Sequence, residues 1–390
     1  MKYSFDQIID RYNTNSIKWD GVDKYFQGKN LFPMWVADMD FATPPEVIEA
    51  LRKRIDHGVF GYTLFPDSYY QAIIDWLLKR HNWKIRQEWI LYSPGVVPAV
   101  NYAIQAFTHP GDKVIVQTPV YYPFFPAVKN NGRQLVCNEL KYSNDKYIMD
   151  LDELKGQIDD RTKMIILCSP HNPVGRVWEK SELIQLVEIC LRNEILIVSD
   201  EIHFDLIYPG YKHTITASLS DEISKNTITC IAPSKTFNIA GLKSSAVIIE
   251  NEKLRSRYNH VLLQNGVMHS DPLSIEAAIA AYNRCEQWLE QLLVYLKENV
   301  EIVMNYFQEQ NLNIIPVKPQ GTYLIWLDFR GLSLSDQEID QRLLNRGKIA
   351  LDPGHIFGKG GEGFQRINIA CPRKLLVKGL HKIKTAVKDV

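Results

Sequence analysis

Cysteine is sparse in this 390-residue chain: there are six, Cys137, Cys168, Cys190, Cys230, Cys285 and Cys371, with no CxxC pair among them. A chain this long needs no disulfide staples, so reduced thiols in the cytoplasm are the expectation. The ten histidines form no HExxH and no Cys/His cluster, and no metal site is expected. No GxSxG is present to suggest a serine hydrolase. Charge of one sign is missing too, because 45 Lys and Arg stand against 45 Asp and Glu. With no run of five basic residues either, the electrostatic case for a nucleic-acid partner falls away. No apolar stretch approaches the ~18 residues that span a bilayer, so no membrane partner is expected. The opening Met1-Lys2-Tyr3-Ser4-Phe5-Asp6 lacks the apolar core of a signal peptide.

What is present is ordinary globular composition, with 45% hydrophobic and 23% charged residues. The length suggests two or three domains with large cores, and an enzyme by size alone. Thr43-Pro44-Pro45-Glu46 reads as a capping box with proline at the first helical position, predicting a helix to about His57. Tyr70, Ile73, Ile74, Leu77 and Leu78 recur at helical spacing and predict a helix over 67–80. Apolar runs then follow at Lys113–Gln117, Met164–Cys168, Ile195–Ser199, Thr227–Ile231 and Ala246–Ile249, with a clear helix at 180–193 between two of them. Runs apolar on both faces and separated by helices predict a mostly parallel sheet covered on both sides. A long helix from about Ser274 to Gln310 reads as a connector. After it come a strand near 322–329, a helix near 336–345, a strand near 366–369 and a closing helix after Arg373, a small α+β unit.

Three apolar runs end abruptly in reactive residue types. The first runs into Ser169-Pro170-His171-Asn172-Pro173, the second into Asp200-Glu201-Ile202-His203, and the third into Ala232-Pro233-Ser234-Lys235-Thr236. Ligands of open α/β sheets bind beyond the carboxyl ends of the strands. An amide, a carboxylate and an amine are therefore expected to converge on one crevice.

The segment Ser234-Lys235-Thr236-Phe237-Asn238-Ile239-Ala240-Gly241-Leu242-Lys243 resembles the lysine segment of pyridoxal phosphate (PLP) enzymes of the aspartate aminotransferase fold. Ser169-Pro170-His171-Asn172-Pro173-Val174-Gly175 and Ser199-Asp200-Glu201 stand upstream in that family's order. Within the family the chain is most similar to the MalY/PatB type of carbon–sulfur β-lyase, the cystathionine β-lyase branch. That likeness rests on Met34-Trp35-Val36-Ala37-Asp38-Met39-Asp40-Phe41, on Asp200-Glu201-Ile202-His203, and on Arg366-Ile367-Asn368-Ile369-Ala370-Cys371-Pro372-Arg373. The resemblance implies the PLP-dependent transferase fold of type I: an α/β large domain with a mostly parallel, seven-stranded sheet, plus a small α+β domain. The expected division is 46–285 for the large domain, and 1–45 with 286–390 for the small one.

The same resemblance implies roles. Lys235, Asp200 and Tyr121 form the catalytic set: Lys235 holds PLP covalently, Asp200 pairs with its ring nitrogen and Tyr121 stacks on the ring. Asn172 faces the ring oxygen, and His203 stands where aminotransferases of this fold commonly carry tyrosine. The amides of Val96 and Val97, at the start of the helix after Ser93-Pro94-Gly95, would meet the phosphate along with Lys243 and Ser234. Arg366 would clamp the substrate carboxylate, a task suited to a guanidinium, with Asn172, Ala37 and Tyr62 beside the substrate. Tyr62 would reach the phosphate of a neighbouring subunit, which implies a homodimer. The site would then set Lys235, Lys243 and Arg366 against the single carboxylate Asp200.

Gly358-Lys359-Gly360-Gly361-Glu362-Gly363 satisfies GxGxxG literally, but it leads into a strand rather than a helix and reads as a turn. The expected function is α,β-elimination from cystathionine or a related S-substituted cysteine, in a setting of methionine biosynthesis. A PLP-dependent aminotransferase is the alternative enzyme, and a PLP-fold regulatory protein with little turnover is the alternative outside enzymology. Which small-molecule amino acid is the substrate is not written in these motifs.

Overall fold

The computed structural model describes residues 3–143 and 146–388. Met1 and Lys2 of the N-terminal reading, and the last two residues of the expected small domain, lie outside them. The apolar runs are strands of one sheet, each within two residues of its expected bounds. In chain order these strands are β1 (Ile90–Ser93), β2 (Lys113–Thr118), β3 (Gln134–Glu139), β4 (Thr162–Cys168), β5 (Leu196–Asp200), β6 (Thr227–Ile231) and β7 (Ser245–Ile248). Their order across the sheet is β1-β7-β6-β5-β4-β2-β3. The pairs β3·β2, β2·β4, β4·β5 and β5·β6 are parallel, whereas β7 runs antiparallel to both β6 and β1.

Side-chain alternation explains why these strands are apolar throughout. Met164, Ile166, Val198 and Ile228 pack on one face, beneath Ala99, Val100 and Ala103 of α3 (Val96–Phe107). Ile165, Leu167 and Ile197 pack on the other, against Leu183, Leu186 and Val187 of α4 (Lys180–Arg192). A strand buried on both faces gains roughly 25 cal/mol for each Å² of apolar surface on either side. The second sheet has the order β8-β9-β11-β10, from β8 (Ile315–Val317), β9 (Leu324–Asp328), β10 (Asp352–Pro353) and β11 (Phe364–Asn368). The N-terminal segment joins this unit, because Phe32 and Pro33 pair in parallel with Ile349 and Ala350.

Three local expectations change. The helix α1 (Pro45–Asp56) forms without the capping box. Thr43 instead donates its hydroxyl to the Phe237 carbonyl (2.9 Å), and Glu46 accepts from the Tyr3 hydroxyl (2.9 Å), so both side chains serve tertiary contacts. The long helix at 274–310 is two helices, α6 (Pro272–Arg284) and α7 (Glu286–Glu309). The break falls at Cys285, which leaves helical geometry at φ −109°, ψ 12° and carries neither glycine nor proline to announce it. The helix α8 (Asp336–Arg342) stops early, since its last turn widens into a π-turn over Leu343–Gly347. The remaining helices used below are α2 (Asp67–His81), α5 (Pro233–Thr236) and α9 (Arg373–Val387).

Candidate active site

Parallel strands deliver their last residues to one edge of a sheet. Here β4 passes into the turn bearing Asn172, β5 ends on Asp200, and β6 runs directly into α5 with Lys235. The strand β1 is antiparallel to β7 and so runs the same way as the parallel strands; it finishes at this same edge, where α3 begins with Val96 and Val97. These elements enclose a cavity of about 190 Å³. Its walls include Ala37, Val96, Val97, Tyr121, Asn172, Asp200, His203, Ser234, Lys235 and Lys243, ten of the twelve residues expected at the site. Arg366 lies just behind the wall and reaches it through Asn172, with Nη1 donating to Asn172 Oδ1 at 2.8 Å. Tyr62 lies elsewhere. It is 98% exposed, its ring 5.8 Å from that of His269, and it does not line this cavity.

Burial sets the protonation states. Asp200 is pushed up to about 7, chiefly by desolvation, although the Ile202 N–H (3.1 Å) and the Lys235 charge pull the other way. Lys235 is pushed down to about 8 by desolvation, with Asp38 and Asp200 opposing and Arg366 adding to the fall. His203 sits well below the ordinary imidazole value because it is buried and faces the charges of Lys235 and Arg366. A carboxyl that ionises near neutrality beside an amine brought down to about 8 is the pattern of a functional site.

The expected charge balance needs correction. Arg366 is not an unpaired cation: its Nη2 is ion-paired with the buried Asp352 and also donates to the Trp35 carbonyl (3.3 Å). Asp38 acts on Lys235 as well, so Asp200 is not the single carboxylate. Neither residue was legible as a partner, since each depends on a long-range fold contact. The guanidinium of Arg366 also lies over the Phe357 ring, 4.9 Å from its centroid. Phe357 precedes the glycine-rich stretch, which forms a turn into β11 as expected.

The segment bearing Ala37 is fixed from several sides. Asn368 Nδ2 donates to the carbonyls of Val36 and Asp38, both at 2.6 Å, and Asn238 Oδ1 accepts from the Met39 N–H at 3.0 Å. Beneath it, Lys18 pairs with the buried Asp40 at 2.7 Å, and Trp19 Nε1 donates to the same carboxylate at 2.8 Å. Burial pushes the Asp40 pKa up, but Lys18, Trp19 and Arg11 together hold it below the usual range. The Ala37 carbonyl thereby accepts two donors, Lys235 Nζ at 2.6 Å and the Tyr323 hydroxyl at 2.8 Å.

PLP fits this donor set. Asn172 Oδ1 is occupied by Arg366, which leaves its Nδ2 to donate to a ring oxygen. His203 Nδ1 is buried with no partner among the described residues, an orphan that an added polar group would satisfy. The first turn of α3, with Ser234 and Lys243, lines the cavity and would suit an anion such as the cofactor's phosphate. Lys243 holds a left-handed φ of 49°, a strained conformation for a residue with a side chain.

Comparison with known proteins agrees with this chemistry. A family model described as aminotransferase class I and II matches residues 30–383. The chain is 44% identical to cystathionine beta-lyase PatB of Bacillus subtilis (strain 168), over 98% of its length and 100% of that protein. Among solved structures it is similar to cystalysin of Treponema denticola, which contains PLP, with a TM-score of 0.97, 41% identity and full coverage of both chains. It is also similar to the PLP-bound C–S lyase of Staphylococcus hominis, with a TM-score of 0.92 and 34% identity over 99% of this chain and 98% of that one.

Proposed function

The chain belongs to the class I and II aminotransferase family, and within it we propose a PLP-dependent carbon–sulfur β-lyase that cleaves L-cystathionine or related S-substituted cysteines. The observation that carries the reading is the buried Lys235 amine facing Asp200 and the Arg366–Asn172 pair at one cavity. It stands beside full-length similarity to proteins named as lyases. The net reaction takes S-substituted cysteine and water to a thiol, pyruvate and ammonia.

When bound, PLP supplies an electron sink that acidifies the Cα–H of an amino acid joined to it. Arg366 holds the substrate carboxylate, with Asn172 oriented by the same guanidinium. Lys235 Nζ takes the Cα proton as general base, the act for which an amine ionising near 8 is suited. Asp200 would keep the ring nitrogen protonated, and Tyr121 would pack on the ring. His203, a neutral imidazole with a buried Nδ1 free to bond, would face the ring oxygen in place of the tyrosine of aminotransferases. The β-substituent then departs with its electron pair as thiolate.

Purified holoenzyme given L-cystathionine and no keto acid is expected to release pyruvate and thiol steadily, through many turnovers per site. One turnover followed by arrest would favour the aminotransferase reading. Bound cofactor with no turnover of any S-substituted cysteine would favour a binding protein.

We further propose that Tyr62 belongs to a neighbouring site in a homodimer. Its 98% exposure, with Val59, Phe60 and Leu64 also exposed nearby, supports a covering second copy. Sedimentation is expected to give twice the single-chain mass. Tyr62→Ala should weaken PLP retention about tenfold, the scale of one hydrogen bond to a charged group. An active monomer, or unchanged retention, would refute this. The proposed division into 46–285 and 1–45 with 286–390 is supported by the pairing of Phe32 and Pro33 with Ile349 and Ala350. A cytoplasmic setting is supported by the absence of any disulfide among the six cysteines.

A further inference from the structure

The exit from β5 carries more acid than the cavity uses. Asp200, Ile202 and His203 line the cavity, whereas Glu201 and Asp205 are buried behind it. Glu201 accepts from Ser199 Oγ (2.8 Å) and the Thr216 N–H (2.9 Å) and pairs with His213 (2.8 Å), all near its own strand end. Asp205 is different, because its partners come from other elements. Its carboxylate has no exposed side-chain surface. Oδ1 contacts His81 Nε2 at 2.8 Å and Arg80 Nε at 3.3 Å, both at the end of α2. Trp76 Nε1, one turn earlier on α2, donates to both oxygens at 3.2 Å. Oδ2 accepts from Thr236 Oγ1 at 2.9 Å, and Thr236 is the neighbour of Lys235.

We propose that Asp205 is a positioning residue that ties the Lys235 turn to the Asp200 loop and to α2, through the hydroxyl of Thr236. The tether rests on the assignment of Lys235 as the cofactor lysine, made above. α5 is only four residues long, too short to hold a lysine in place by its own hydrogen bonds. A buried carboxylate that joins α2 to Thr236 supplies what the turn lacks. Losing the Thr236 hydroxyl leaves Asp205 Oδ2 with only the Trp76 N–H that it shares with Oδ1 and frees the turn to shift, and small misplacement of a reacting group costs rate steeply. Asp205 touches neither substrate nor cofactor; it acts through Thr236.

The test uses holoenzyme and reads the pH dependence of the cofactor's visible absorbance, besides turnover. Thr236→Val removes the hydroxyl while keeping shape, and water gaining access to Lys235 moves its ionisation upward, against the direction set by burial. Asp200, His203, Asp38, Arg366 and Tyr323, the groups facing Lys235 or its acceptor, are left unsubstituted in every variant. The expected result for Thr236→Val is a spectral midpoint about half a unit or more higher and kcat about tenfold lower, with KM within about twofold. Thr236→Ser restores the wild-type midpoint, and Asp205→Asn moves it as Thr236→Val does. Ile73→Ala truncates a buried residue on the same helix, 2% exposed, and should lower the melting temperature without moving the midpoint. If Thr236→Val leaves the wild-type midpoint unmoved, or Ile73→Ala shifts it equally, the tether is overturned. A wild-type holoenzyme lacking any pH-dependent visible band overturns the cofactor reading and the tether together.

Discussion

Lys235→Ala abolishes turnover, with kcat expected to fall by about four orders of magnitude or more, the scale seen when a covalent or proton-transferring group is removed. The size follows from the environment of the amine. At an ordinary lysine pKa near 10.5, roughly 0.03% of the side chain is neutral at pH 7; at about 8, roughly a tenth is. Burial in the cavity therefore raises the reactive form about 300-fold before any orientation is counted. Alanine removes that amine and leaves the Ala37 carbonyl with only the Tyr323 hydroxyl. Pyruvate release from cystathionine checks the rate. Borohydride reduction in the presence of PLP, followed by mass measurement, checks the attachment: wild type gains one cofactor mass and the variant gains none. Should Lys235→Ala keep more than about 1% of activity, or still be labelled, another amine carries the chemistry.

The parts of this site that could be read from the sequence are those set by local rules. Strands buried on both faces announce themselves as unbroken apolar runs, and where such a run stops, the next residues lie at the sheet edge. Asn172, Asp200 and Lys235 were legible for that reason. Asp352 and Asp205 were not, because nothing in Leu351-Asp352-Pro353 or Phe204-Asp205-Leu206 says which distant cation or hydroxyl each will meet. An acid flanked by apolar residues in an apolar stretch is the one available signal, and both positions carry it. The Thr43–Glu46 capping box failed for the opposite reason. Its residues had the right local chemistry, but Phe237 and Tyr3 claimed them through tertiary contacts. The helix break at Cys285 has no local signal at all. Arg366 shows both regimes: its place in β11 was foreseeable, while its pairing with Asp352 changes what a substrate carboxylate meets.

Asp200→Asn is expected to be inactive and, without cofactor, more stable than wild type at alkaline pH. Activity falls by about three orders of magnitude, because a neutral amide cannot hold a proton on the ring nitrogen through charge. The stability gain follows from the carboxylate's own position. Burial raises its folded pKa from about 3.8 to about 7. The folded state therefore keeps a proton that the unfolded chain has released. Wild-type stability falls as pH rises from about 4 to 7 and stays low above it, where the folded protein bears a buried charge costing about 2–4 kcal/mol. Asparagine has no such charge. Cofactor-free Asp200→Asn should melt about 2–5 °C above cofactor-free wild type at pH 8, with the difference closing toward pH 4. Adding PLP should narrow the gap from the other side, since a positive ring nitrogen gives the wild-type carboxylate a partner and gives asparagine none. Differential scanning calorimetry at pH 4 and pH 8, with and without PLP, reads all four states. If the variant melts lower than wild type at pH 8 without cofactor, Asp200 is a stabilising residue and its charge is not held in reserve for a ligand.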